Sequence, residues 1–510
     1  VAAQTSPVVS KPGIKRDGTS FDGDYYTDGQ WVRFQRGLPR KINGFRSISK
    51  YLSQTSRGLA SFVEGDLVYC HSGGASTLER FTIDAAGNSS VIFDRTPVGL
   101  TASTDNKWMF DFAYNTSGTN QVIVAHVAPN NASLANAVGG QIFTGDAIGT
   151  SALTAVTLPA NANATGGIVN LSPYLFYYGS NGIIGWSVAG QPTDLTGVGS
   201  GQARPWGSKI IKGMPLRAGS GSAPAGLFIA YDAVLRSSFT GGAAIFNFDT
   251  IATGTSIISP DAVVDMDGVI YWAGVDRFFM FNGVVREVPN TMNMNWFFDN
   301  INPAQKPKIF SFAVPRHGEI WWCYPRGSAT ECSHAIIFNT REQSWYDTEL
   351  PSIGRTSATF SNLFPAPLMA SAETDTSTYK VWIHESGVDA IDGAAIYPID
   401  SYFVTCDISL ITLRGVNKKV RIAAIEPDFV QTGPMTVQIV GRANARAPDV
   451  DSVEFPIPEV ASIPSEQIIS LKEQRRQLRV KFRSNVIGGD YQMGLIIGHM
   501  EPGDGTMVGG

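Results

Sequence analysis

The chain has 510 residues, and 39 Lys and Arg against 44 Asp and Glu give it a formal charge of −5, so the whole-chain basic footprint of a nucleic-acid binder is absent. Only 16% of residues are charged, against roughly 25% in ordinary globular domains, while Gly reaches 53 and Pro 28. Turns are therefore plentiful, helical periodicity is hard to find, and an all-β fold is expected. No run of about 18 apolar residues occurs, which excludes a membrane-spanning helix.

Residues 1–57 form the first expected unit. Its start has no apolar core behind a positive stretch, so no secretory signal is expected. Up to about residue 55, nine basic side chains (Lys11, Lys15, Arg16, Arg33, Arg36, Arg40, Lys41, Arg46, Lys50) stand against four acidic ones (Asp17, Asp22, Asp24, Asp28). The spacing predicts a hairpin with strands around 30–35 and 41–48, joined through RGLPR, where Gly37 and Pro39 punctuate the chain. In the first strand Trp31, Arg33 and Gln35 alternate with Val32 and Phe34, giving a polar or amphipathic face and an apolar one.

Residues 58–395 repeat an aromatic hairpin. Its strands begin near Leu67 (LVYCHSG), Gln121 (QVIVAHV), Leu175 (LFYYGSNGIIGWS), Leu227 (LFIAYDAVLRSSF), Val269 (VIYWAGVDRFFMFNG), Ile320 (IWWCYPRG) and Val381 (VWIHESG), at intervals of 54, 54, 52, 42, 51 and 61. A period of about 40–50 residues with several strands per unit predicts a β-propeller, here of six or seven blades. Ser180-Asn181-Gly182 and Asn282-Gly283 mark tight turns, because Asn and Gly accept positive φ. Consecutive large residues such as Tyr271-Trp272 and Trp321-Trp322 suit strands covered on both faces and read as core. Two stretches rich in Ala, Gly, Ser and Asn, 130–164 and 197–226, read as long loops; the first leaves room for edge strands at QIFTGD and LTAVTL.

Residues 396–510 change character again. VRIAAIEPDFV, MTVQIVGRAN, QLRVKFRSNV and YQMGLIIGHMEP read as longer strands of a β-sandwich of about 100 residues, with one short helix over 465–472. A basic run, Lys472, Arg475, Arg476, Arg479, Lys481 and Arg483, crosses into one strand. Alternation puts Arg479, Lys481 and Arg483 on one face, which in an isolated domain is a solvated face. Closing a propeller brings its first and last blades together, so the two flanking units are expected to pack as one platform.

Signatures of catalysis are missing. There is no GxSxG, HExxH, P-loop or helix-opening GxGxxG, and the six histidines are scattered. The four cysteines contain no CxxC, and Cys323, Cys332 and His334 fit no common zinc spacing. Ser103-Thr104-Asp105-Asn106-Lys107-Trp108 approaches a sialidase Asp-box but lacks its glycine and occurs once. Asp261, Asp265, Asp267 and Asp276 gather around one hairpin, where turn chemistry accounts for them. No enzyme activity, cofactor or metal is expected.

Three segments carry a family resemblance: DGDYYTDGQWVRFQRGLPRKINGFRSI near the start, the hairpins LFYYGSNGIIGWSVAGQPTDL and VIYWAGVDRFFMFNGVVREVP, and the ending DYQMGLIIGHMEPGDG. In this order the chain resembles the tail nozzle proteins of short-tailed bacteriophages, also called tail tubular protein B or packaged-DNA stabilisation protein. The resemblance implies a homohexameric ring in the virion tail, assembled in the host cytoplasm and docked on the adaptor (the head-to-tail connector). It implies that genomic double-stranded DNA passes non-specifically through a channel that retains the genome until ejection, and that tail fibres or spikes attach to the ring. Six copies would carry six times −5, or −30, which suits a conduit that must not grip phosphates. The channel is then expected between subunits, with little positive charge and with the low-complexity loops as gate or tip elements. Basic residues at the two chain ends suit docking on the adaptor, with Trp31, Arg33, Arg36, Arg40, Lys41, Arg475, Arg476 and Arg479 as candidates. The alternative is a propeller-type tail protein that degrades polysaccharide or binds carbohydrate.

Overall fold

A computed structural model describes residues 4–506 apart from 20–22, 116–120, 130–139, 217–222, 243, 352, 374–377, 410–417, 445 and 460–466. Six antiparallel four-stranded sheets follow one another from Leu59 to Glu349, each built from consecutive strands. The seventh is completed differently. Ser357–Ser361, Ala366–Glu373 and Tyr379–His384 supply three strands, and Phe45–Leu52, from the other end of the propeller, pairs antiparallel with Tyr379–His384. Ala390–Asp392 and Ala395–Tyr397 extend the same sheet. This exchange ties the two ends of the array together with backbone hydrogen bonds.

The ring is closed. A central cavity of about 260 Å³ is lined by the innermost strands of all seven sheets, from Ala60 in the first to Ala358 in the last. The fold is a β-propeller. Aromatics fill the spaces between sheets, as their positions on doubly covered strands require: Trp272 stacks on Phe279, and Trp322 on Trp345. All four cysteines are free and buried.

Two further sheets form the platform, and each mixes the chain ends. One orders Ile469–Arg475, Lys418–Thr432, Asp490–Thr506, Leu38–Lys41 and Val32–Gln35, with Gln4–Val8 also on Asp490–Thr506. The other orders Asp28–Gln30, Ser401–Val404, Gln477–Ser484, Met435–Arg442 and Val450–Asp451, with Phe455–Ile457 on Met435–Arg442. A single apolar core runs from Phe403, Ile422 and Phe482 of the sandwich through Val32 and Phe34 to Phe312, Trp321 and Tyr346 of the sixth propeller sheet.

Several sequence expectations are corrected. The N-terminal hairpin pairs Val32–Gln35 with Leu38–Lys41 across Arg36-Gly37, and residues 45–48 belong to the propeller, so the boundary at 57/58 does not separate the units. Of the expected helix over 465–472, residues 465 and 466 lie outside the described residues, and Ile469–Arg475 is a strand. The edge strands that the stretch 130–164 left room for do form: Gln141–Asp146 (QIFTGD) and Thr154–Ala155 (within LTAVTL) complete the second sheet, while 130–139 lies outside the described residues. The stretch 197–226 is not one loop: it contains Gly201–Ala203, all of Ile210–Leu216 at an innermost position, and the start of Ala225–Ala230, while 217–222 lies outside the described residues.

Candidate functional site in the platform

The platform holds the residues singled out for docking, and Trp31 sits at its hinge. The chain leaves one platform sheet at Gln30 and enters the other at Val32. Trp31 makes that crossing with φ +52, a conformation that a bulky residue adopts only when its surroundings impose it. Here they do. Its backbone N–H donates to Thr348 Oγ1 at 3.0 Å, its indole N–H to the Asn43 carbonyl at 3.1 Å, and its ring meets Phe45 and Trp321 edge-on.

Arg33, two residues on, is fully buried. Its guanidinium lies 2.8 Å from Glu319 Oε1 and donates to Glu385 Oε2 at 2.8 Å. Glu319 also accepts from Tyr346 Oη at 2.7 Å and Trp321 Nε1 at 2.9 Å. Burial alone would raise the Glu385 carboxyl, but Arg33 outweighs it and holds it below the ordinary carboxylate range. His317, 3.6 Å from Glu385, is pushed down to about 4 by burial and by Arg33, with Glu385 opposing and Arg316 and Arg40 adding to the effect. The imidazole is therefore neutral at pH 7. One guanidinium thus staples the platform hairpin to the sixth propeller sheet and to the turn after Tyr379–His384.

Lys41 is also internal. Its ammonium donates to the Gly489 carbonyl at 2.6 Å, and burial lowers it against the opposing pull of Asp389, Asp490 and Asp400. Trp31, Arg33 and Lys41 consequently hold the subunit together and present no docking surface in it.

Arg36 is exposed at the hairpin tip, while Arg40 is half-buried on the strand Leu38–Lys41, opposite Arg33, and donates to Gln35 Oε1 at 2.9 Å. The backbone N–H groups of Arg36 and Gly37 donate to the Glu342 carboxylate at 2.9 and 3.1 Å, which seats the tip on the sixth sheet. Arg341, next in the chain, donates to the carbonyls of Arg316 and Pro315 at 2.8 and 2.7 Å. The tip therefore gathers Arg36, Arg40, Arg316 and Arg341. The last two were missed in the sequence because they occupy turns of a different sheet, and no local pattern shows where the hairpin lands.

The C-terminal candidates lie elsewhere. Arg475 pairs with Glu473 at 3.1 Å, and Arg476 forms the bend into the strand Gln477–Ser484. Arg479 lies 3.4 Å from Asp407 and donates to Asp449. Lys481 stands 4.3 Å from the ring centre of Tyr402, and Arg483 donates to Asp400 at 2.7 Å. The row on one face is thus matched by acids and an aromatic ring of its own subunit, and the eight candidates do not form one patch. The carboxylates Asp261, Asp265, Asp267 and Asp276 also separate: Asp261 lines the central cavity and pairs with Lys107, while Asp265 caps its turn by accepting from Gly268 N–H. Among the described residues, no group of three or more His, Cys, Asp or Glu is placed to hold a metal.

No family model and no curated protein matches the chain. Among solved structures, the WD40 β-propeller domain of Doa1 is similar over 68% of this chain and 97% of that one, at 10% identity and a TM-score of 0.40. The propeller assignment rests on the sheet order and the closed central cavity.

Proposed function

We propose that this chain is the subunit of a nozzle ring in the tail of a short-tailed bacteriophage, a structural protein that helps hold and then pass packaged DNA. The observation that supports this reading is the platform: both chain ends are woven into two sheets that share one core with the propeller, in the order of units carried by the resembling segments. A rigid platform of that kind suits stacking on an adaptor ring, and the arginines at the hairpin tip suit an acidic partner surface.

The propeller's own cavity, about 260 Å³, is too small for duplex DNA, whose major groove alone is about 12 Å wide. In this reading the DNA path runs between six subunits. Mass measurement and negative-stain imaging of the purified chain test it: a six-membered ring with an axial opening is the expected result. A chain that stays monomeric at every concentration, or one that releases reducing sugar from capsule or lipopolysaccharide, would replace the nozzle with the carbohydrate-active alternative.

A further inference from the structure

Asn-Gly occurs three times in the chain, at Asn43-Gly44, Asn181-Gly182 and Asn282-Gly283. The pair forms turns, and it is also chemically labile, because glycine puts no side chain in the way when its backbone nitrogen approaches the preceding amide. Closing that ring asks two things of the fold. The glycine N–H must not already be donating, and the backbone must be free to bring the nitrogen onto Asn Cγ. The three pairs differ in both respects.

Gly44 is buried, and its N–H donates to the Gly387 carbonyl at 2.8 Å. The Asn43 carbonyl accepts from the Trp31 indole, and a Cβ on Gly44 would collide with the Asp389 backbone. Asn181 is exposed, but Gly182 is buried against the Trp206 carbonyl, and the Gly179 N–H donates to the Ile183 carbonyl at 3.1 Å, bracketing the pair. Asn282-Gly283 is held by neither device. It forms the tip between Phe278–Phe281 and Val285–Val288, the two outer strands of the fifth sheet. Asn282, Gly283 and Val284 are all exposed, and a Cβ on Gly283 would meet nothing within 4 Å. Among the described residues, neither the Asn282 side chain nor the Gly283 N–H has a hydrogen-bond partner.

We propose that Asn282 is a self-modifying site, which deamidates to aspartate and isoaspartate with water as the co-reactant. The Gly283 nitrogen gives up its proton and bonds to Asn282 Cγ. The Cγ–Nδ2 bond then breaks and ammonia leaves with that proton, closing a five-membered imide. Water opens the imide at either carbonyl: addition at Cγ gives aspartate, and addition at the former backbone carbonyl gives isoaspartate, whose main chain runs through the side chain. Both products put a new carboxylate beside Val284. The isoaspartyl form also adds a methylene to the backbone between the paired residues Phe281 and Val285, and it is the substrate class of protein carboxyl methyltransferases that act on that linkage. The inference concerns one hairpin of one subunit and is independent of the nozzle reading.

Incubation of the full chain in mildly alkaline buffer, folded and in urea, followed by peptide mapping, tests this. The rate in the folded chain, taken relative to the rate in urea, should be at least about tenfold higher at Asn282 than at Asn43 or Asn181, since each of those must first break a backbone hydrogen bond or buried packing. Aged folded protein should accept methyl groups from a protein isoaspartate methyltransferase supplied with S-adenosylmethionine, and Asn282→Gln should remove most of that acceptance. Asn43 or Asn181 converting in the folded chain as fast as Asn282, relative to urea, overturns the site. So does Asn282 staying intact in the folded chain while it converts in urea, or undiminished methyl acceptance by Asn282→Gln.

Discussion

Arg33 shows how a charged residue in a strand can be structural. Its place in the alternation with Val32 and Phe34 reads as a polar face, yet all three side chains are fully buried, because the hairpin lies between the sandwich and the sixth propeller sheet. The period of two was legible; the cover on the second face was not, since it comes from residues near 319 and 385. Removing one partner of such a buried group leaves uncompensated charge, so Arg33→Met should destabilise the chain by about 3–5 kcal/mol, measured by urea unfolding. The pH dependence carries a sign. Arg33 depresses the folded-state value of Glu385, so the stability from that pair is present above the ordinary value of 4.5 and is lost as pH falls through the lower folded value. In Arg33→Met the buried carboxyl has no cation and is relieved by protonation. The gap between variant and parent should therefore narrow as pH falls from 7 towards 4; a gap that widens on acidification would contradict the stapling role.

Among the elements, the repeated second strands were legible and the closing strand was not. Six of the seven repeat positions fall on second strands of successive sheets, but Val381 lies on a third strand, Tyr379–His384. That shift explains the long last interval: the second strand of this sheet, Ala366–Glu373, is the aromatic-free APLMASAE, and it gave no signal. The sequence places residues 45–48 in the terminal hairpin because the partner of Phe45–Leu52, Tyr379–His384, is over three hundred residues away. The expected helix over 465–472 failed for a related reason. Glu466, Gln467, Leu471 and Lys472 are good helix formers, but Ile469 and Leu471 are buried on the same face of a strand held by Lys418–Thr432, and tertiary pairing overrides local propensity. The closing strand yields a direct test. Arg46 is paired with Ile383 on one side and Ile391 on the other, so Arg46→Pro should cost about 1–3 kcal/mol beyond Arg46→Ala, through the ladder partner it orphans. Hydrogen exchange should then lose protection in Tyr379–His384, at the seam of the ring. Excising 140–164 should be more severe, because it removes two strands of the second sheet and the carbonyl that His126 binds; a soluble variant with the parent's thermal midpoint would show that those strands are dispensable.

For the whole molecule, the resemblance to a nozzle places the docking surface among basic residues at the chain ends, and the fold sorts those residues by what they already touch. Lys41 faces Asp389, Asp490 and Asp400 and donates to Gly489, so Lys41→Glu buries an anion among anions and should unfold the platform. Arg36 and Arg40 do not share that fate. Arg36 is exposed at a tip anchored through backbone N–H groups to Glu342, and Arg40 is half-buried on the strand behind it; that anchor survives a change of either side chain. Arg36→Glu with Arg40→Glu should therefore leave thermal unfolding within a few degrees of the parent, while replacing two cations with two anions on a surface that Arg316 and Arg341 otherwise keep positive. If that tip meets an acidic adaptor, the reversed protein should join tails at reduced occupancy, and the defect should lessen at high salt, where exposed charges are screened over about 3 Å at 1 M. Occupancy of tails assembled in vitro, read by quantitative gel and by imaging, decides between the alternatives: normal occupancy of the folded double variant removes the hairpin tip from docking, and loss of folding in that variant would show that the tip arginines, like Arg33 and Lys41, belong to the framework.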